Sequence, residues 1–224
     1  MSQTATKLDA RLQAVLSFIQ AEAHADIGTD HARLPIALIQ SGRCRNVVAV
    51  ELNPGPLALA QAAVKRSALA GQIEVRQGDG FAPVQPGEVR SASLTGMGAR
   101  TMLGILERAE HLPSALILQP NAEPEALRGW ALKHGYHLKA EALIPGFWRY
   151  PVLRFEAASG ADPAYSGLPL SAALNFGPHL LKSGDIHLQA ELTAQQRRLS
   201  GLATHERPGV LGQLRAVQDA LALF

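Results

Sequence analysis

Apolar and polar positions alternate along the chain in blocks whose period switches repeatedly between helical and extended. Leu8, Leu12, Val15, Leu16 and Ile19 recur at helical spacing and predict an amphipathic opening helix. Residues 23–27, 46–50, 73–77, 92–95 and 115–119 read as short strands, 46–50 continuously apolar and 115–119 buried. Helices are expected between them: over 32–40, with Pro35 tolerated in the first turn, and from Pro56, with Leu57, Ala60, Ala63 and Val64 on one face. Two more are expected over 101–108 and 124–134, the latter stopped by Gly135. Residues 136–143 and 150–157 follow as longer strands separated only by the Pro145-Gly146 turn. Such alternation calls for an α/β fold, a mostly parallel sheet covered on both faces and closed by an antiparallel edge pair.

The stretch 157–169 is rich in Gly, Pro and small residues, which sets the expected division: one domain over 1–158 and a helical one over 159–224. In the second, Asp185 is placed to cap a helix bearing Leu188, Leu192 and Leu199. Pro208 opens another with Leu211, Leu214, Val217 and Leu221 at three- and four-residue steps. They suggest a coiled-coil-like pair, packed on the main domain or standing free.

Ligands of open α/β sheets bind beyond the carboxyl ends of the strands. The first strand runs into Asp26-Ile27-Gly28-Thr29-Asp30-His31. One glycine falls short of the three in a dinucleotide fingerprint, and the two acids would repel a pyrophosphate. A sulfonium cofactor carries no phosphate and tolerates them; the plain alternative is an acidic turn capping the next helix. The second strand ends at Glu51, 23 residues after Gly28, where an acid accepts both ribose hydroxyls of an adenosine cofactor. The third runs into Gly78-Asp79-Gly80-Phe81. Its carboxylate can accept an adenine amino group and Phe81 can cover the ring, although Asp-Gly is also a common turn. Acids at three successive strand ends point to S-adenosyl-L-methionine. The expected cofactor contacts are Asp26, Gly28, Thr29, His31, Glu51, Asn53, Asp79, Gly80 and Gly96. An antiparallel edge pair on such a sheet is also the methyltransferase version of the Rossmann-like fold.

The methyl group of that cofactor should point at Thr95-Gly96-Met97-Gly98-Ala99. Enzymes acting on exocyclic amines commonly place Asn or Asp with Pro-Pro and an aromatic here, and that pattern is absent. Small residues and exposed N–H groups suit an acceptor such as adenine N1, whose in-plane lone pair attacks without prior proton loss. Catalysis then rests on positioning and desolvation. Gly96, Met97 and Gly98 are expected to shape the reacting centre. Asp30 is expected to stabilise the cationic product, or merely to cap a helix. Gln119-Pro120-Asn121 closes the fifth strand, where amides can read a base edge or cap the next helix. Arg100, Arg33 and Arg11 are candidate phosphate contacts, as are Lys7 and Arg149, each also readable as a solvated charge. Trp148 and Tyr150 can stack on a base or simply pack.

Composition refines this only at the edges. The chain has 224 residues, 47% hydrophobic and 18% charged, enough for one full domain and a small extra. A net charge of +2 does not announce a nucleic-acid binder, so any RNA surface must come from where the charges sit. Cys44 stands alone, which excludes an internal disulfide or a thiolate cage. His134 and His137 are split by the helix-breaking Gly135, and no metal is expected. Lys7, Asp9 and Arg11 spoil a signal peptide, no apolar run is long enough for a membrane, and a cytoplasmic protein is expected.

Several stretches taken in order resemble the bacterial tRNA (adenine-N1)-methyltransferases that modify adenine 22 of tRNA. They are Leu12 with its neighbours, 25–32, 51–56, Arg76 with Gly78-Asp79-Gly80, Gly96-Met97-Gly98, 116–121 and Phe176-Gly177-Pro178. The resemblance implies a class I methyltransferase domain followed by a helical, coiled-coil-like one. It also implies S-adenosyl-L-methionine as donor and tRNA as substrate. Apart from the resemblance, no membrane partner is expected, and the oligomeric state is left open between monomer and weak dimer. Arg33 stands where an aromatic is common in that family, and Ala99 where a glycine is usual. Competing readings are a methyltransferase for a small molecule or protein, and a non-catalytic S-adenosylmethionine- or RNA-binding module. A basic surface flanking the pocket would favour RNA.

Overall fold

A computed structural model describes residues 6–146, 149–203 and 209–224. Its strands are β1 (Ala23–Ile27), β2 (Asn46–Glu51), β3 (Ile73–Gln77), β4 (Ser91–Met97), β5 (Ala115–Pro120), β6 (Tyr136–Ile144) and β7 (Tyr150–Ala157). They form a sheet in the order β3-β2-β1-β4-β5-β7-β6. β3, β2, β1, β4 and β5 run parallel, and β7 pairs antiparallel to β5. The order reverses between β1 and β4, which opens a crevice beyond their carboxyl ends.

Helices α1 (Ala10–Phe18), α2 (Arg33–Gln40), α3 (Pro54–Arg66), α4 (Ala99–Arg108) and α5 (Pro124–Lys133) accompany the strands. Asp9 starts α1 by accepting the Leu12 N–H at 2.8 Å. α3 begins two residues earlier than the sequence pattern suggests. Pro54 and Pro56 both fall in its first turn, where no N–H is required, and the Asn53 carbonyl accepts the Leu57 N–H. β4 runs on to Met97 with a register shift between Thr95 and Met97, a bulge that redirects the chain at the sheet's end. After β7 come α6 (Leu170–Phe176), α7 (Pro178–Lys182), α8 (Ile186–Ala203) and α9 (Val210–Leu221).

The chain divides into two compact units, Met1–Glu123 with Ala142–Ala157, and Pro124–Glu141 with Ala158–Phe224. In the first, Val15 and Leu16 of α1 and Ile19 just after it join a core with Leu38, Ala49, Ile73, Ile117 and Val152. In the second, α8 packs on α9, and Asp185 accepts the Leu188 N–H at 2.8 Å. Arg128 and Glu141, almost wholly buried, pair there at 2.8 Å. The remaining Glu141 oxygen accepts the His179 N–H, and Arg128 donates to the Leu174 carbonyl. A buried pair so completely bonded fixes the junction between α6 and α7. Gly177 sits at that junction with φ +93°, and a Cβ there would run into the Glu141 carboxylate. The Phe176-Gly177-Pro178 stretch thus has a packing reason.

Among the described residues no helix is long and apolar enough to cross a membrane. Trp148 and Pro208, expected to stack and to open the last helix, lie outside the described residues.

Candidate active site

A cavity of about 690 Å³ opens beyond the carboxyl ends of β1–β4, and every residue lining it belongs to the first compact unit. Asp26, Gly28, Thr29, Asp30, His31, Glu51, Asn53, Asp79, Gly80, Gly96 and Met97 all line it, as do Arg11 and Arg33. Gly28 has φ +75°, a conformation costly for residues with a Cβ, and a Cβ there would collide with the terminal methyl of Met97. This contact brings the first and fourth loops together across the crevice.

Glu51 ties the first two loops. Its Oε2 accepts the Asp30 N–H at 3.1 Å and its Oε1 accepts the Asn53 N–H at 2.9 Å. The Gly28 and Thr29 N–H groups bond back to the Val50 carbonyl. Asp30 and Ala32 both hold φ +53°, which is uncommon for side chains of their kind and persists because these bonds over-determine the loop. The exposed Asp30 carboxylate lies 2.5 Å from Nδ1 of His31.

Beneath the cavity floor runs a buried polar chain that pattern reading did not anticipate. β1 and β4 are in register with His24 beside Ser91 and Asp26 beside Ser93. Asp26 accepts from Ser93 Oγ at 2.7 Å and from Thr29 Oγ1 at 2.8 Å. Ser93 has spent its one hydrogen on Asp26, so the His24 Nε2–H, 2.9 Å away, donates to it. His24 Nδ1 then accepts from Ser91 Oγ at 2.7 Å. Burial pushes His24 down to about 3, which keeps it neutral as this bonding requires. The Asp26 carboxyl is raised above its ordinary value, chiefly by burial and further by the nearby Glu51 charge, against the Ser93 and Thr29 bonds.

The loop after β4 is braced from below rather than by its own residues. Gln119 is fully buried, and its Oε1 accepts both the Gly96 N–H at 3.0 Å and Arg11 Nη1 at 2.5 Å. Its Nε2 donates to the Pro120 carbonyl. Asn121 donates through Nδ2 to the Gly96 carbonyl and through its N–H to the Met97 carbonyl. The Gln119 and Asn121 amides are thus engaged with protein: they hold the loop, and a base edge would have to displace these bonds.

Other expected residues fall differently. Gly98 adopts an ordinary φ of −70°, a Cβ there would meet nothing within 4 Å, and it does not line the cavity. Ala99 is buried in the first turn of α4. Arg100 is 90% exposed and faces Glu123 at 3.9 Å, outside the cavity lining. Phe81 is buried and lines a neighbouring cavity instead. Ile105 and Arg108 of α4 stand at the Asp79 end of the pocket, and Arg108 pairs with Asp79 at 3.1 Å. The expectation for Asp79 took no account of that cation, because 29 residues separate the two. His134 stacks on Trp130, and His137 bonds the Gly160 carbonyl. Among the described residues no group of three or more His, Cys, Asp or Glu gathers as a metal cluster would.

A parallel sheet with an antiparallel β7, whose reversal point opens into a cavity walled by acids from three successive strand ends, defines a class I S-adenosylmethionine-dependent methyltransferase. Comparison with known proteins narrows the class. Residues 24–217 match the model of the TrmK family, tRNA (adenine(22)-N(1))-methyltransferase, and the chain belongs to that family. It is 38% identical over 181 residues to the tRNA (adenine(22)-N(1))-methyltransferase of Bacillus subtilis, covering 79% of this chain and 76% of that one. It is similar to the crystal structure of B. subtilis TrmK, with TM-score 0.84, 32% identity and 97% of each chain covered. It is also similar to M. capricolum TrmK in complex with S-adenosyl-homocysteine, with TM-score 0.84 and 26% identity over 96% of this chain and 98% of that one. A Streptococcus pneumoniae structure with S-adenosyl-L-methionine gives TM-score 0.83 and 29% identity over 96% and 100%.

Proposed function

We infer that this protein transfers a methyl group from S-adenosyl-L-methionine to N1 of adenine 22 in tRNA. The observation that carries the reading is the single cavity into which Asp26, Glu51 and Asp79 all open, in a chain of this family. The cofactor, when bound, supplies an electrophilic methyl group on a sulfonium. Its ammonium, ribose hydroxyls and adenine amino group are hydrogen-bond donors and match a wall of carboxylates, which suits no phosphate-bearing cofactor.

Within that reading each residue has a job. Asp26 and Glu51 accept from the cofactor's polar end and ribose, and Asp79 accepts from its adenine. Gly28, Gly80 and Gly96 let backbone approach, and Thr29, His31 and Asn53 complete the wall. Gly96 and Met97 present the acceptor, held by Gln119, Pro120 and Asn121, while Gly98 starts the helix behind them. Adenine N1 attacks with its own in-plane lone pair, so the chain must position and desolvate rather than remove a proton. Asp30, at the mouth, faces the positive charge that N1-methylation creates. Arg33, on the cavity wall, is the phosphate candidate nearest the cofactor, whereas Arg11 is spent on Gln119 and Arg100 lies outside the cavity beside Glu123; residues 1–158 would hold the cofactor, with 159–224 as the helical domain. Action as a monomer or weak dimer in the cytoplasm belongs to the same reading.

The test is incubation with methyl-labelled S-adenosylmethionine and unmodified tRNA transcripts, followed by nucleoside digestion. Labelled 1-methyladenosine that vanishes when adenine 22 is replaced is the expected result. Cofactor binding with no label in any tRNA would overturn it.

A further inference from the structure

A base can enter the cofactor cavity only if its sugar–phosphate backbone stays outside, on a surface continuous with the mouth. Two further cavities share walls with this one. The first, toward α4, includes Asp79 and Glu110 in its wall, and its Arg108 is already paired with Asp79. The second is a groove of about 520 Å³ between α2 and α3, meeting the cofactor cavity at His31 and Arg33. Its floor is Ile36 and Ala63, its rim carries Arg33, Arg66 and Ser67, and none of its lining residues is acidic. Arg33 uses one of its five N–H groups on the Lys7 carbonyl at 2.6 Å, and Arg66 is exposed on the last turn of α3. Asp30, the acid preceding His31 in the chain, is engaged with His31.

We propose that the α2–α3 groove binds a backbone phosphate of the tRNA strand that carries the target adenine, with Arg66 and Arg33 as its donors. The proposal rests on the tRNA reading above. A planar guanidinium bonds phosphate oxygens in pairs, and two of them flanking an acid-free groove suit a phosphodiester better than an uncharged acceptor. This placement supplies the basic surface that a net charge of +2 leaves hidden. It also gives the arginine at position 33 a role at the seam of the two cavities.

Arg66 decides the matter because it lines the groove and not the cofactor cavity. In full-length protein, Arg66→Glu should raise the KM for tRNA about tenfold and leave S-adenosylhomocysteine affinity by calorimetry unchanged. The slope of log KM against log salt should fall by about 0.7–0.9, the release expected for one phosphate contact. Arg66→Lys should recover most of the loss. Methylphosphonate linkages beside adenine 22 should weaken the wild type and leave Arg66→Glu indifferent. If Arg66→Glu fails to fold, Arg66→Gln carries the same test with a smaller rise. A wild-type KM and salt slope in a folded, active Arg66 variant would overturn the groove while leaving the methylation reading intact. A wild type that methylates no tRNA would overturn the reading beneath it.

Discussion

The two sides of the cavity are built on different principles. The cofactor side, formed by the ends of β1, β2 and β3, is walled by its own side chains: each strand end contributes an acid to the cavity lining, Asp79 exposed, Asp26 and Glu51 buried and bonded to neighbouring loop groups. The acceptor side, formed by the end of β4, presents almost bare backbone and takes its shape from residues elsewhere. Gln119 lies one strand away and Arg11 belongs to the opening helix. One side binds by chemistry carried locally; the other positions through bonds made at a distance. The two should therefore fail differently when mutated.

Gly28 is where the sides touch, so its loss should have the largest effect. Gly28→Val places a branched side chain at φ +75° against the Met97 methyl. We expect S-adenosylhomocysteine affinity to fall at least ~100-fold, from left-handed strain and a blocked cradle together. Calorimetry beside circular dichroism of the folded variant checks this; retained affinity would mean that the loops do not enclose the ligand.

Gln119→Ala should come next, and on turnover. It strips the shared acceptor from the Gly96 N–H and the Arg11 guanidinium, and each orphaned group costs ~1–3 kcal/mol where water cannot replace the bond. Single-turnover methyl transfer should slow ~10–100-fold. An unchanged rate would show that the brace is dispensable.

The His24 chain joins β1 to β4 beneath both sides and gives a pH test. An unfolded histidine titrates near 6.5, whereas His24 stays neutral in the fold down to about 3. Below pH 6.5 the unfolded state therefore takes up a proton that the folded state refuses, and stability falls as pH falls through that window. Between pH 6.5 and 5 this group contributes a loss of ~2 kcal/mol. Chemical denaturation of His24→Gln should lose that component of the slope, and an unaltered slope would contradict the neutral assignment. The raised Asp26 carboxyl works oppositely: above its ordinary value of 3.8 it favours the protonated fold, so its contribution falls as pH rises. The histidine substitution isolates one from the other.

Arg108→Ala should have the smallest effect. Its pair with Asp79 has side chains 61% and 53% exposed, and such pairs are worth under ~1 kcal/mol. S-adenosylhomocysteine affinity should move less than ~5-fold by calorimetry. A larger loss would make this cation part of the adenine wall.

The same contrast explains what the sequence disclosed. β1, β3 and β7 have the expected bounds because each is a short extended stretch delimited by turn residues such as Gly28, Gly78 and the Pro145-Gly146 pair. That Asp26, Glu51 and Asp79 line one cavity is legible because residues at the carboxyl ends of parallel strands converge on the same crevice. The role of Gln119 was not: its partner Arg11 lies 108 positions away, and no periodicity encodes that bond. The His24 chain did leave a trace, alternate polar residues at 24 and 26 and at 91 and 93 in otherwise apolar strands, but only strand register turns that alternation into contact. The short helices α6 and α7 follow a stretch rich in Gly and Pro and are too brief for a helical period to emerge. Gly98 misled because a glycine in an active loop suggests a tight approach, whereas here it starts a helix with open space around it.

The division of labour is tested most directly by titrating S-adenosylhomocysteine into Gln119→Ala, the variant whose methyl transfer should have slowed. A dissociation constant within about threefold of wild type is the expected result, with binding held by the three acids and only acceptor placement lost. A dissociation constant weakened in proportion to the lost rate would contradict the account and make the two sides a single binding surface.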